Sequence, residues 1–561
     1  MINSGREELL PQSLRIENKI SFLPALIIAA GAFLLLFSFW LLPERELFRD
    51  EGFFAAAASE IAAGDGAVKQ GLTVSAHHVI LDNAWPMYPF VVSLFYRLGL
   101  PMESSLRIVS VLMLGILSLI SGITVKIRCN SRSGIVAGCC CFGTVFALCK
   151  GFVGTPEIMA GVFLLTAQLL FFHYGSRLAS WNSAWLSAAV FVSLGFLTAG
   201  PVVILYFAFP LLFLRRPLSS GKKYSTPGFA AGVFLLGVVV AAWALPAGLA
   251  LHQYAAESGL EAVPLAKYCK EVITFPFYLI IRLMPFSVIM WLPFCVALQE
   301  NSRLPVFCLY LRTLFFSMLA LTWLLPGTST MLIAFLIGPL SILTGIMYDF
   351  GVRRYGAAMR NLLGILGGFF PVAVVVLMLI LFLPESKLSW LGDPAKMIFR
   401  NEPLFFWGIV VASAVLILLS LIFYCGIKKL PVWMLGLILT CGIGLVNISA
   451  VLPYCMMEKE WRDFGSDIRK ALPEKTKKLY KYDIEGMFCG LFYAGVPVYK
   501  VHKDAGLPAA EKNVYLISTH FPDISGYHWR PLLPADYTCR GVPVSLWHGK
   551  FIEPEEFADE K

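Results

Sequence analysis

From Ser21 onward the chain is a succession of apolar runs long enough to cross a bilayer, and no other feature limits its fold so strongly. About twenty apolar residues span the hydrocarbon core as a helix. The first run, Ser21 to Leu42, has that length and no small-residue cleavage site, so it reads as an anchor rather than a removable signal. Of the 561 residues 58% are hydrophobic and 14% charged, against about a quarter charged in soluble proteins. The net charge of +9 does not call for nucleic acid. Its Lys and Arg lie in short loops between runs, where they set orientation.

The remaining runs are Leu106–Val125, Gly134–Cys149, Thr155–Phe172, Asn182–Leu197, Gly200–Leu214, Phe229–Leu251, Phe277–Leu298, Val306–Leu325, Met331–Tyr348, Leu362–Leu383, Pro403–Tyr424 and Val432–Leu452. By length they predict about thirteen crossings. Residues 1–20 read as a cytoplasmic tail and 21–453 as the membrane domain. With that tail inside, the segments Lys126–Arg132, His173–Trp181, Arg215–Lys223, Gln299–Arg303, Asp349–Arg360 and Lys428–Lys429 are inner loops, nearly all basic. Ala84–Leu98 is apolar but short; counting it as a crossing would put the basic clusters outside, so it reads as an interfacial helix. The outer side collects a loop at 43–105, the Lys150–Glu157 turn, the His252–Pro276 loop and residues 454–561. That last stretch reads as a soluble α/β domain, with a helix at Trp461–Leu472 and strands at Lys478–Tyr482, Val498–Val501, Val514–Ser518 and Val542–Trp547.

Most of the 13 cysteines lie within apolar runs, Cys139–Cys141 among them, where they act as small packing residues. No Cys/His spacing marks a metal site. His77, His78 and Asp82 share one loop and are the weak candidates for a divalent ion, with an exposed histidine pair as the plainer reading.

Arg49-Asp50-Glu51-Gly52 follows the first run and opens an amphipathic helix, Glu51–Ala63, expected at the water–lipid boundary. A carboxylate there is partly desolvated, which raises its proton affinity and suits it to act as a base. The plainer reading is an acidic helix N-terminus favoured by the dipole.

These residues resemble the R-D-E signature of the bacterial aminoarabinose transferase and protein O-mannosyltransferase group of GT-C-fold glycosyltransferases. Further matches run in the group's order: Gly64–Val68, Asp82–Pro89, Thr155–Met159, Leu194–Pro201, Phe275–Leu279 and Met284–Ser287. Two of the group's lysines are replaced, by Asn83 and Ala199, and its basic-aromatic motif by Gly327–Thr330. The resemblance implies an α-helical polytopic membrane protein of GT-C type with a small C-terminal extracytoplasmic α/β domain. It implies an enzyme that moves a sugar from a polyprenyl-phosphate donor to a lipid, glycan or protein acceptor on the outer (periplasmic) face of the inner membrane, with inversion. Asp50 is the implied base, with Glu157 and Asp82 orienting the acceptor or holding a metal. Arg49, Glu51, Lys150, Lys267, Lys270, Arg282 and Tyr88 are implied substrate-binding residues. The competing readings are a transporter or flippase for lipid-linked saccharides, and a non-catalytic relative that binds polyprenyl phosphate.

Overall fold

The computed structural model describes residues 21–38, 46–47, 51–63, 85–151, 153–214, 221–257, 265–295, 298, 304–324, 329–382, 403–451, 460–476, 478–482, 487–496, 498–501, 512–534, 537–539 and 542–551. The helices are α1 (Phe22–Ser38), α2 (Glu51–Ala63), α3 (Met87–Arg97), α4 (Met102–Arg128), α5 (Ser131–Phe142), α6 (Val145–Gly151), α7 (Glu157–Phe172), α8 (Trp181–Ala199), α9 (Pro201–Leu211), α10 (Pro227–Glu257), α11 (Leu265–Leu283), α12 (Ser287–Met290), α13 (Pro305–Leu324), α14 (Ser329–Leu366), α15 (Phe369–Phe382), α16 (Pro403–Gly426), α17 (Val432–Val446), α18 (Glu460–Ala471) and α19 (Phe488–Tyr493).

Among the described residues seven helices are long and apolar enough to cross a membrane, or up to nine when each bent pair is one span. The chain is therefore an α-helical integral membrane protein. Its contacts divide it into two compact units: Met1–Leu41, Trp85–Tyr88 and Arg107–Cys455 form one, and Leu42–Ala84, Pro89–Leu106 and Met456–Lys561 the other.

In the first unit the apolar runs pack as one continuous core in which Cys139, Cys140 and Cys141 are fully buried, as expected of small packing residues. α4 and α5 approach closely at Gly122 and Gly134, where a Cβ on Gly134 would lie 2.7 Å from the Gly122 carbonyl; small residues permit this contact between membrane helices. The turn between α8 and α9 is made by Gly200 at φ +78°, with the Trp85 indole laid over its Cα. Only glycine takes that backbone without strain.

Four expectations for the first unit need correction. The expected straight run Phe277–Leu298 is broken: α11 and the short helices after it meet at 113° around Met284–Phe286, because Pro285 has no N–H to continue the ladder. The Gly134–Cys149 run likewise bends by 60° between α5 and α6. The carbonyl of Met284 freed at the first break accepts from the Val145 N–H at the second, 2.8 Å away, so neither bend leaves that backbone pair unsatisfied. The expected inner loop Asp349–Arg360 is helical, lying within the 38 residues of α14, which at 1.5 Å per residue extend about 57 Å. The ends of the expected His252–Pro276 loop are helical too, in α10 and α11. Charge marks a loop only weakly: α14 runs through Asp349–Arg360, and α11 through Lys270, Glu271 and even Pro276.

In the second unit α2 has the expected bounds but not the expected one-sided exposure. Glu51 through Ala55 are all buried. Its first turns, rich in alanine and phenylalanine, present no polar face and are buried all round, whereas Ala56 and Ser59 to Ala62 are half-buried. It packs on α19. The strands are β1 (Leu479–Tyr482), β2 (Val498–Val501), β3 (Asn513–Ser518), β4 (Tyr527–Pro531), β5 (Thr538–Cys539), β6 (Val542–Pro543) and β7 (Ser545–Phe551). Five of them form a mixed sheet in the order β2-β1-β3-β7-β4. β1 is parallel to β2 and β3, while β7 is antiparallel to β3 and β4. Phe464 and Ile468 of α18 cover Ile517 and Leu546 on one face of this sheet.

Candidate functional site

The first unit contains a buried polar chain built around the turn from α6 to α7. Lys150 lies in the last turn of α6, and Glu157 opens α7 after Pro156 at the N-cap. Each charge suits its helix end, a cation near the C-terminus and a carboxylate near the N-terminus. The turn brings the two together, with Lys150 Nζ 2.6 Å from Glu157 Oε1. The Thr155 hydroxyl donates to Glu157 Oε2 in a very short contact. Both carboxylate oxygens are thus engaged.

The chain continues inward. The Thr155 N–H donates to Ser110 Oγ at 3.2 Å, and the Ser110 hydroxyl donates to the Thr155 carbonyl at 3.3 Å. The remaining position on Ser110 is taken by Tyr88, whose hydroxyl lies 3.1 Å away. Glu157, Thr155, Ser110 and Tyr88 are all buried, and a network so satisfied rigidifies its members. Lys150 alone retains access to solvent, with 24% of its side chain exposed. One turn before Ser110, on the same face of α4, is the fully buried Arg107. What this arrangement can do chemically is hold an amine at a fixed place, against a carboxylate that Thr155 fixes in turn.

Of the residues singled out in the sequence, Lys150, Glu157 and Tyr88 therefore meet in one network. Ser110, Thr155 and Arg107 were missed. Thr155 and Arg107 carried signals, the first in the Thr155-Pro156-Glu157 motif and the second as a charge just inside a membrane-length run. Ser110 carried none.

The other candidates are dispersed. Arg282 is half-buried on α11, its guanidinium carbon 4.7 Å from the ring centre of Tyr278 one turn earlier, so the ring face supports its charge. Lys270 is exposed on the same helix, and Lys267 belongs to its backbone. Trp85, within the Asp82–Pro89 stretch, packs on Phe196 and Trp243. Asp50, Arg49, Asp82, His77 and His78 lie outside the described residues. Among the described residues no three metal-ligating side chains converge.

A second, partly buried cluster, unsuspected from sequence, belongs to the other unit. Glu103 Oε1 accepts from Arg462 Nη2 and from the Tyr493 hydroxyl, each at 3.0 Å. Tyr493 in turn accepts from the Leu47 N–H at 2.9 Å, and the Arg462 N–H donates to Glu46 at 3.3 Å. Burial pushes the Glu46 carboxyl up from its ordinary value, against the opposing pull of the Arg462 N–H and charge. Burial also pushes the Tyr493 hydroxyl well up. Glu51, fully buried at the start of α2, lies four residues beyond Leu47. The backbone just before Arg49-Asp50-Glu51 is therefore held at residues 46 and 47 by α18 and α19.

Residues 82–245 match the pattern of the family described as dolichyl-phosphate-mannose-protein mannosyltransferase. That stretch contains every member of the Lys150–Tyr88 network. No curated protein matches the chain in sequence. Among solved structures, ArnT from Cupriavidus metallidurans in the apo state superposes with a TM-score of 0.62 at 14% identity, covering 93% of this chain and 97% of that one. The same protein bound to undecaprenyl phosphate superposes with a TM-score of 0.61 at 15% identity, again covering 93% and 97%. At such identity the likeness is one of fold. The resemblance to the aminoarabinose transferase and O-mannosyltransferase group is borne out in sequence over residues 82–245 and in fold over nearly the whole chain.

Proposed function

We propose, for a chain that carries the mannosyltransferase family pattern on the ArnT fold, that it is a membrane glycosyltransferase using a polyprenyl-phosphate sugar donor. The observation that carries this reading is the Lys150–Glu157–Thr155–Ser110–Tyr88 network within the matched stretch. Both comparisons concern proteins whose descriptions name a polyprenyl phosphate or its sugar ester. Such a donor needs positive charge for its phosphate, and Lys150 supplies a positioned ammonium.

The proposed step is a single displacement. The acceptor oxygen attacks the anomeric carbon and its proton passes to the Asp50 carboxylate. The bond from that carbon to the phosphate oxygen breaks, and the electron pair leaves with the polyprenyl phosphate, whose charge Lys150 meets. Glu157 has both oxygens occupied, so its proposed role is to hold Lys150 rather than to accept a proton. Direct displacement inverts the anomeric centre. The proposed topology is about thirteen crossings, with residues 454–561 an α/β domain on the periplasmic side of the inner membrane. His77, His78 and Asp82 are the proposed holders of a divalent ion, a reading that turnover surviving EDTA would remove.

The test is transfer from a labelled polyprenyl-phosphate sugar to envelope lipids and proteins in membranes. Losing a general base lowers rate by about two to four orders of magnitude, so Asp50→Asn is expected to stop turnover while donor binding persists. Wild-type turnover matched by Asp50→Asn removes Asp50 from its role. Donor binding with no transfer to any acceptor favours the non-catalytic reading, to which Asn83 and Ala199 in place of the group's lysines lend weight.

A further inference from the structure

The sheet of the second unit has a half-face that no helix covers among the described residues. Side chains two apart on a strand share a face. On β7, His548 and Lys550 therefore share a face with Leu546, which α18 covers. Register places Tyr515 of β3 and Arg530 of β4 directly beside His548, and Asn513 and His528 directly beside Lys550. Asn513, His528, Arg530 and Lys550 are exposed, and Tyr515 and His548 half-exposed.

Two strands, β7 and β4, thus present two cations and two imidazoles in two adjacent rows, each row continued on β3 by Tyr515 or Asn513. None of the four joins the ion pairs of the described residues. The two cations are set diagonally, each opposite an imidazole, and the six residues of the two rows include no carboxylate. The patch is also ordered. His548 Nε2 lies 3.1 Å from Asn513 Oδ1, and the imidazole stacks on Tyr515 at 5.1 Å between ring centres and 19° between planes. Arg530 and Lys550 are diagonal neighbours across β4 and β7, about 7–8 Å apart, a span that one phosphate group can bridge. Guanidinium is suited to bidentate contact with phosphate oxygens, and the ring pair beside it offers a flat surface to sugar C–H groups.

We propose that this half-face of β3, β7 and β4 is a docking site for phosphate-bearing saccharides. The proposal goes beyond the transfer reading and does not depend on it, because binding is measured without donor. The probe is fluorescent pentamannose 6-phosphate, with unphosphorylated pentamannose as its control, titrated against the full chain in detergent. The phosphorylated glycan is expected to bind more tightly than the control, and added salt to weaken it. Replacing both cations (R530S with K550S) is expected to weaken it by about tenfold or more, with the melting temperature unchanged because both side chains are exposed. The conservative pair R530K with K550R is expected to keep most of the binding. The sequence after Ile552 carries Glu553, Glu555, Glu556, Asp559 and Glu560, so a chain ending at Ile552 is titrated in parallel. Tighter binding by the shortened chain supports the patch, with those carboxylates as competitors. Equal affinity for the two glycans, equal affinity of wild type and R530S/K550S, or no binding by either chain length overturns the proposal.

Discussion

Removing Lys150 should harm the protein more than removing Lys150 and Glu157 together. Glu157 has 8% of its side chain exposed and Lys150 24%, with 2.6 Å between the charged atoms. Deleting one partner of a buried ion pair costs about 3–5 kcal/mol, because the other charge is left uncompensated. The partial exposure of Lys150 places Lys150→Met near the lower end, about 3 kcal/mol. Glu157→Gln keeps an amide oxygen for Lys150 and a polar partner for Thr155, so its loss is that of a charged hydrogen bond reduced to a neutral one, about 1–2 kcal/mol. In the double variant the buried charge is gone and Thr155 still has its amide partner, so the cost falls to about 1–2 kcal/mol. The expected coupling energy is about 3 kcal/mol, with a range of about 2–4, where independent sites add to within about 0.5 kcal/mol. Denaturant midpoints of the four proteins in one detergent measure it, and single-variant effects that simply add would refute the argument. The same variants report on function: Lys150→Met and the double variant should both lose donor binding, whatever their stability.

Glu46 predicts a pH effect of definite sign. Its folded-state carboxyl titrates above the ordinary value of 4.5 through burial. The folded state then holds a proton that the unfolded state has released, so this group favours folding at acid pH and that contribution is lost as pH rises through its raised value. Glu46→Gln should therefore gain on wild type as pH climbs from the ordinary carboxylate range, and a difference in denaturation midpoint that stays flat with pH would contradict it. Glu103→Gln weakens the bonds from Arg462 and Tyr493, and by loosening the Leu47 contact it should raise proteolytic cleavage near residues 46–47 by several-fold. Unchanged protection there would refute this role. Gly200→Ala puts a Cβ 2.2 Å from the Trp85 ring at φ +78°, with a backbone strain of about 1–3 kcal/mol. Trp85→Ala removes the clash but not the strain, so the Gly200→Ala penalty in melting temperature should shrink in that background without vanishing.

Much of the helical layout could be read from the chain itself, because bilayer thickness imposes a length and lipid leaves the backbone few alternatives. Hydropathy did not show the bends, because it is blind to direction and a broken helix is as greasy as a straight one; Pro285 marked the place of the first, and nothing local marked its angle or the bend between α5 and α6. The same blindness turned charged stretches within α14 and α11 into expected loops.

The site divides along the same line. Lys150 and Glu157 are seven positions apart, and a single turn between two helix ends suffices to join them, so local sequence already held that pair. Glu103 meets Arg462 and Tyr493 across 359 and 390 positions, and Thr155 reaches Ser110 across 45. Nothing in the neighbourhood of any one of these residues names its partner. Periodicity and apolar length act over a few turns of chain, which is why they could assign helices, strands and a lipid environment. Which polar groups would be buried together depended on how those elements packed. There the requirement that every buried donor and acceptor find a mate selected the clusters only once the fold had brought distant segments within reach.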